Sequence, residues 1–162
     1  MIDHDADSDA VVWGNFVVQL FRTHGLMMSI GDDIASAAGQ TSARWQVIAS
    51  VAQAPQTVPN IARRMGLSRQ SVQRTVYRLV EDGIVGLASN AAHRRSPLVS
   101  LTDRGQTAME AIRRRQQLAV HRWKNRIPTE KVSRALELLQ DIERSLGETT
   151  RELPRPSKPR EE

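Results

Sequence analysis

The chain has 162 residues, of which 40% are hydrophobic, and it contains no cysteine. This length predicts either one compact domain or two lobes, one that binds a partner molecule and one through which chains associate with each other. The lack of cysteine excludes disulfides, Cys-type zinc sites and thiol-based sensing in this chain. No uncharged apolar run is long enough to cross a bilayer and no export leader is evident, so we expect a cytoplasmic protein without a membrane partner.

The net charge of +5 is unevenly distributed along the chain. Residues 1–40 hold six acids and one base, residues 41–126 hold fifteen bases and four acids, and the remainder holds seven bases and eight acids. The basic middle segment favours a polyanion such as a nucleic acid as the partner, because neutralisation of phosphates drives most nonspecific nucleic-acid affinity. An anionic membrane is the competing polyanion, but no amphipathic helix with a broad apolar face accompanies the charge.

The N-terminal segment predicts one long helix. The first ten residues are acidic and we expect them to be loose, whereas residues 9–38 should be helical and end at Gly39. The apolar residues of this helix cover more than one face, so it packs against a partner chain, forms a central core helix, or does both. Thr41 or Ser42 should cap a following helix over residues 43–53.

Two short helices joined by a tight turn are predicted next. Thr57 should cap the first, with Pro59 in its first turn, where no backbone donor is needed. Gly66 can close that helix in the left-handed conformation, and Ser68 can cap the second. A short helix, a tight turn with glycine and a second helix form a helix-turn-helix pattern.

The second helix, predicted over residues 69–82, has two distinct faces. An apolar stripe with helical spacing consists of Val72, Val76, Leu79 and Val80. The opposite face carries Gln70, Ser71, Arg74, Tyr77 and Arg78, with Gln73 at its flank. The forked side chains of arginine and glutamine match guanine and adenine edges in the major groove. The alternative is a surface helix pair with a solvated basic face.

A basic β-hairpin is predicted directly after this helix, which Gly83 should end. Residues 84–87 and 98–101 are short, β-branched and strand-like. The polar loop between them contains His93, Arg94 and Arg95. Arginine at a hairpin tip beside such a helix is well placed to reach phosphates or an adjacent minor groove, although loop arginines also serve solubility. Thr102 should cap the next helix.

Over residues 41–105 the sequence resembles the MarR family of winged-helix transcription regulators. The matching segments are WQVI at 45–48, IARRMGLS at 61–68, VEDGIV at 80–85, and the run from Arg94 to Gly105. The resemblance implies a homodimer that binds a pseudo-palindromic operator and is often released by a small, frequently aromatic ligand. The family's wing usually carries two aspartates, one of which positions the wing arginine. Asn90 and His93 stand at those positions here, while Arg95 matches the family's main wing arginine.

The C-terminal part predicts two further helices. The first should span residues 103–126, with a buried side formed by Ala108, Ile112, Ala119 and Trp123. Its arginines at 113–115 form a solvated face, pair with acids of the N-terminal helix, or touch the DNA backbone. After Pro128, Thr129 should cap the last helix, and Gly147 should end it. A seam suited to helix–helix association consists of Val132, Leu136, Leu139, Ile142 and Leu146.

Together these elements predict a mainly α fold. It is a winged helix-turn-helix with a small β-hairpin wing and a dimerisation lobe made of N- and C-terminal helices. The predicted boundaries are 1–40 for the N-terminal dimerisation helix with its acidic leader, 41–105 for the DNA-binding domain, 106–148 for the C-terminal dimerisation helices and 149–162 for a disordered tail.

Enzyme signatures are missing: there is no Gly-rich phosphate loop, no HExxH, no nucleophile elbow and no cysteine nucleophile. The four histidines are scattered, so we expect no catalytic residues, no metal and no cofactor. Large apolar groups lie near the expected junction of the association helices and the DNA-binding lobe. They are Trp13, Phe16, Phe21, Met27, Met28, Trp45 and Trp123. Such groups are more often core than effector pocket, so no ligand-binding residue is assigned.

The leading hypothesis is a ligand-responsive repressor that binds double-stranded DNA as a homodimer. Candidate base contacts are Gln70, Ser71, Gln73 and Arg74. Candidate backbone or minor-groove contacts are Ser68, Arg69, Arg78, Arg94 and Arg95. The alternative is a winged-helix module for protein association or nonspecific nucleic-acid binding, without a small-molecule effector.

Overall fold

The computed structural model describes residues 4–93 and 95–152. The chain divides into two compact units, one ending at Ala119 and the other beginning at Val120. Within the described ranges no helix is long and apolar enough to span a membrane. The elements are α1 (His4–Ala35), a short 3-10 helix (Ser36–Ala38), α2 (Ser42–Val51), β1 (Gln56–Thr57), α3 (Val58–Met65), α4 (Arg69–Glu81), β2 (Val85–Ala88), β3 (Leu98–Leu101), α5 (Asp103–Lys124) and α6 (Thr129–Glu152). The predicted mainly α architecture with a small β wing is confirmed.

Side-chain caps begin α2 and α3, and Thr41 is the one of the two predicted candidates that caps α2. The Thr41 hydroxyl accepts a hydrogen bond from the Arg44 N–H at 3.3 Å and caps α2. The Thr57 hydroxyl accepts from the Asn60 N–H at 3.4 Å and caps α3. Gly66 then ends α3 with φ of 63°, a left-handed conformation that glycine adopts without steric cost.

The hydrophobic core of the first unit forms where α2, α3 and α4 meet the sheet. From α4, Val72, Val76 and Leu79 are fully buried, whereas Val80 at the edge of the stripe is only partly buried. Around them pack Val47, Ile48, Ile61, Val85, Val99 and Met109. Burial of a Val or Leu side chain contributes about 1.5–3 kcal/mol. Packing therefore holds α4, although it contains several poor helix formers.

The antiparallel sheet has three strands in the order β1–β3–β2, one more than predicted. β3 lies in the middle, with Val99 opposite Gln56 of β1 and Leu87 of β2. β1 has only two residues, so it is too short to carry the alternating pattern that identifies a strand in a sequence. The wing is thereby tied to the segment that leads into α3.

The predicted starts of α1 and β2 are wrong. α1 begins at His4, inside the segment predicted to be loose, because acidic residues in the first turns of a helix interact favourably with its dipole. β2 begins at Val85 instead of Ile84. The Ile84 N–H donates to the Leu79 carbonyl at 2.8 Å, so Ile84 lies in the turn that ends α4 rather than in the strand.

The start of α6 also differs from the prediction. α5 ends at Lys124, and α6 begins at Thr129 itself, so Thr129 lies in the first turn and does not cap it. The Pro128 carbonyl accepts the Lys131 N–H at 3.0 Å and supplies the first backbone hydrogen bond of this helix.

Gly147 does not end α6, contrary to the prediction. The helix continues through it to Glu152, because one glycine in a helix interior costs only about 1 kcal/mol. Residues 149–152 of the predicted disordered tail are therefore helical. Residues 153–162 lie outside the described residues.

The start of α5 is seated closely against the end of α4 and the start of the sheet. The Thr102 hydroxyl donates to the Gly83 carbonyl at 2.6 Å and accepts from the Gly105 N–H at 3.1 Å, which confirms its predicted capping role. Gly105 is buried, and a Cβ atom at this position would lie 2.1 Å from the Ile84 carbonyl oxygen. The position therefore requires glycine for lack of space.

Gly105→Ala should destabilise the protein by about 1–3 kcal/mol, the usual cost of overpacking, although alanine is the better helix former. Gly25→Ala in α1 is the matched control, since no neighbouring atom lies within 4 Å of the added Cβ, and it should be neutral or stabilising. The measurement is the free energy of unfolding in urea at one protein concentration. Equal stability of Gly105→Ala and the parent protein would contradict the close packing of α5 against the Ile84 carbonyl.

Candidate nucleic-acid interface

The N-terminus of α4 is held at a defined position by the turn that precedes it. After Gly66, the Leu67 N–H donates to the Ala62 carbonyl at 2.9 Å. The Ser68 hydroxyl accepts from the Ser71 N–H at 3.1 Å, a cap worth about 1 kcal/mol. The first turn of α4 contains no acidic residue. This exposed helix N-terminus thus presents unpaired N–H groups and the positive end of the helix dipole.

The polar face of α4 is exposed because the opposite stripe is buried. Gln70, Arg74, Tyr77 and Arg78 are exposed, and Ser71 and Gln73 are half-buried at the edge. Glu81, in the last turn, is the first acid of the helix. Three turns of α4 therefore present arginine, glutamine and hydroxyl groups without an intervening carboxylate.

The C-terminal end of α4 is linked to α2 by an ion pair that no sequence pattern predicts. The Arg44 guanidinium pairs with the carboxylate of Asp82, the C-cap residue of α4. Both side chains are partly exposed, and such pairs contribute at most about 1 kcal/mol.

A cleft of about 320 Å³ lies between α4 and the wing loop, which we define as residues 89–97. It is lined by Val58, Pro59, Arg69, Gln70, Gln73, Arg95, Ser96 and Pro97. Two arginines from different elements, Arg69 and Arg95, thus converge on one opening. The lining contains no acid, so the cleft suits an anionic group.

Hydrogen bonds within the wing loop give it a defined shape. The Asn90 side chain donates to the Ser96 carbonyl at 3.0 Å and accepts from the Ala92 N–H at 3.1 Å. The backbone adds two bonds, from the His93 N–H to the Asn90 carbonyl at 3.2 Å and from the Ser96 N–H to the His93 carbonyl at 2.9 Å. The aspartates that the family resemblance predicts are therefore not needed to order this loop.

The structure brings most of the sequence-predicted contact residues to one surface. Arg69, Gln70, Gln73 and Arg95 line the cleft itself. Ser68 lies at the adjacent helix N-terminus, and Ser71, Arg74 and Arg78 continue along α4. Arg94 lies outside the described residues, so its place on this surface stays a prediction.

Sequence reasoning missed several residues of this surface. Pro59, Ser96 and Pro97 form walls of the cleft, and they carry no distinctive chemical signal. Asn90 did carry a signal, since asparagine in a turn often bonds to nearby backbone groups. Its partner Ser96 is six residues away, beyond the range of local turn patterns.

The apolar groups predicted near an effector junction divide into exposed and half-buried ones. Trp13 and Phe16 make an edge-to-face contact with ring centroids 5.9 Å apart. Phe21 and Met27 are exposed, whereas the half-buried Met28 accepts hydrogen bonds from α2 through its sulfur. Among the described residues no group of histidine, aspartate or glutamate side chains is arranged to hold a metal ion.

Comparisons with known sequences place the chain among transcription regulators. The sequence model of the MarR family matches residues 38–96. The uncharacterized protein Rv2011c of Mycobacterium tuberculosis is 41% identical over 99 residues, which cover 61% of this chain and 69% of that protein. The transcriptional activatory protein BadR of Rhodopseudomonas palustris is 25% identical over 114 residues, 68% of this chain and 65% of BadR.

Comparisons with solved structures give the same fold. Reduced AbfR bound to DNA superposes with a TM-score of 0.72 at 19% identity, over 87% of this chain and 98% of AbfR. CouR from Rhodococcus jostii RHA1 bound to p-coumaroyl-CoA superposes with a TM-score of 0.68 at 22% identity, over 76% of this chain and 88% of CouR. At these identities the likeness establishes the winged-helix fold.

Proposed function

The chain belongs to the MarR family of winged-helix transcription regulators, and on that premise we propose that it is a homodimeric repressor that binds a pseudo-palindromic operator. A small molecule would release it, with aromatic compounds as the first class to test. The observation that carries the proposal is the convergence of α4 and the wing loop on one acid-free cleft lined by Arg69 and Arg95.

The two faces of α4 suggest how each half-site would be read. With the apolar stripe buried, α4 can enter a major groove with Gln70, Ser71, Gln73 and Arg74 toward the bases. Glutamine pairs with adenine and arginine with guanine, so the half-site should combine both bases. Gln70 and Arg74 are the best placed of these side chains, because they are exposed while Ser71 and Gln73 are half-buried.

The remaining candidates surround this reading face and would contact phosphates or the minor groove. They are Ser68, Arg69, Arg78, Arg94 and Arg95. Ser68 and Arg69 stand at the helix N-terminus, where backbone N–H groups favour a phosphate. Arg95 reaches the same cleft from the wing, so helix and wing would hold successive parts of one DNA backbone.

The exposed apolar residues of α1 and α6 support association with a second copy of the chain. On α1 they include Val12, Trp13, Val18, Phe21 and Leu26. On α6 they include Val132, Leu136, Leu138 and Leu139. Burying such side chains between subunits is favourable, so we assign residues 1–40 and 106–148 to dimerisation and residues 41–105 to DNA binding. The α4 helices of the two subunits would then lie one DNA turn, about 34 Å, apart.

A polar contact between α1 and α2 suggests how an effector would act. The Asp32 carboxylate accepts the Ser42 N–H at 2.6 Å, at the first residue of α2. Gly31 allows this approach, since a Cβ atom there would lie 2.5 Å from the Ser42 hydroxyl oxygen. A shift of the association helix would therefore move the first helix of the DNA-binding domain. A ligand that favours one helix arrangement would change the population of DNA-competent dimers.

The proposal makes the protein a repressor, whereas its relative BadR is named an activatory protein. A reporter gene behind the selected operator decides between them, since loss of the regulator raises expression under repression and lowers it under activation.

Arg74→Ala should weaken binding to the preferred duplex by about 1–3 kcal/mol, because it removes one base-reading side chain. The preferred duplex is obtained by selecting tight binders from a pool of random sequence, and the dissociation constant is measured on it and on a scrambled duplex. Arg134→Ala, at an exposed arginine of α6, is the matched control and should bind like the parent protein. Unchanged affinity of Arg74→Ala would refute the base contact, and equal loss on both duplexes would make it a phosphate contact.

Phe21→Glu should weaken dimerisation at least about tenfold, because a charge replaces an apolar side chain at the proposed subunit interface. Phe21 is 70% exposed, so the fold of the single chain should tolerate the change. Tyr77→Glu on α4, also an exposed aromatic, is the control and should stay dimeric. Sedimentation velocity over a concentration series measures both. A dimer of parental strength in Phe21→Glu would refute the role of α1.

A further inference from the structure

We propose that Asn90 is a positioning residue that holds the wing loop so that Arg95 faces α4. The inference rests on the proposed DNA-binding function for its consequence, but the loop geometry that carries it is independent of DNA. Asn90 itself does not line the cleft between α4 and the wing. It acts through the backbone of the residue that follows Arg95.

The Asn90 side chain bridges the two sides of the wing loop. Its amide N–H donates to the Ser96 carbonyl at 3.0 Å, and its amide oxygen accepts the Ala92 N–H at 3.1 Å. Asn90 is half-buried, so these bonds are partly shielded from water. One side chain thus joins the start of the loop, just after β2, to its end, just before β3.

Arg95 depends on this bridge because it has little else to hold it. Its side chain is exposed, and among the described residues no carboxylate forms an ion pair with it. Its backbone is restrained through the next residue, Ser96. The Ser96 N–H donates to the His93 carbonyl, and the Ser96 carbonyl accepts from the Asn90 amide. Loss of the Asn90 bridge would free the segment that carries Arg95.

The amide is suited to this role in a way that a carboxylate is not. Asparagine offers both a donor and an acceptor, whereas ionised aspartate only accepts. Aspartate at position 90 would keep the bond from the Ala92 N–H but would place a negative oxygen against the Ser96 carbonyl. It would also bring negative charge next to the basic cleft. The neutral amide orders the wing without opposing an anionic partner.

The first test needs no DNA. Trypsin cleaves after arginine, so the initial rate of cleavage at the Arg95–Ser96 bond reports how often the loop opens. Asn90→Ala should raise that rate about three- to tenfold, the effect of one or two net hydrogen bonds, with an unchanged melting temperature. Ala91→Ser, at an exposed neighbour that makes no side-chain bond, is the control and should be cleaved like the parent protein. Equal cleavage of Asn90→Ala and the parent protein overturns the proposal.

The second test is a double-mutant cycle on the selected duplex with Asn90→Ala, Arg95→Ala and the double variant. Asn90→Ala should weaken binding about three- to tenfold, and it should add nothing to Arg95→Ala, because its effect passes through Arg95. Asn90→Asp should weaken binding more than Ala91→Asp, which adds the same charge without breaking the bridge. Additive losses from Asn90→Ala and Arg95→Ala overturn the proposal.

The two tests separate failure of this inference from failure of the proposed function. If the parent protein binds no duplex, the DNA-binding function is refuted, and the trypsin rates still decide whether Asn90 holds the loop. If the duplex is bound and the trypsin rates of Asn90→Ala and the parent protein agree, the inference alone is refuted.

Discussion

The orientation of α4 about its own axis is the constraint on which the rest of the structure depends. Val72, Val76 and Leu79 are buried between α2, α3 and the sheet, and each contributes about 1.5–3 kcal/mol when buried. Any rotation that exposed them would bury Gln70 and Arg74, and an unpaired buried guanidinium costs more than an apolar side chain gains. The polar face of α4 is therefore fixed outward by the core beneath it.

The same core also determines where the wing lies. β3 pairs with β2, which follows α4, and with β1, which leads into α3. The wing loop is therefore anchored to both helices of the helix-turn-helix, and Arg95 reaches the cleft that Arg69 lines. Hydrogen bonds of Asn90 then order the loop itself. α4 and the wing form one surface because both pack on the same hydrophobic core.

The features that the sequence predicted correctly are those that depend on residues within one or two helical turns of each other. The two faces of α4, and the cap by Ser68, depend on neighbours close in the chain, and both are confirmed. The Arg44–Asp82 pair and the strand β1 depend on contacts between distant segments, so no local pattern predicts them. The Asn90 bridge lies between these cases, since the residue type is typical of turns but its partner is set by the loop. The predicted DNA contacts that lie within the described residues share one surface, and their roles stay predictions.

The DNA-binding function is tested most directly by a titration of the protein against the duplex upstream of its own gene and a scrambled duplex of equal length. Both are titrated over a series of salt concentrations. We expect tighter binding to the upstream duplex, with a slope of log affinity against log salt that corresponds to several phosphate contacts. Equal binding to both duplexes would remove the claim of an operator at its own promoter. Absence of binding to either duplex at low salt would contradict the DNA-binding function.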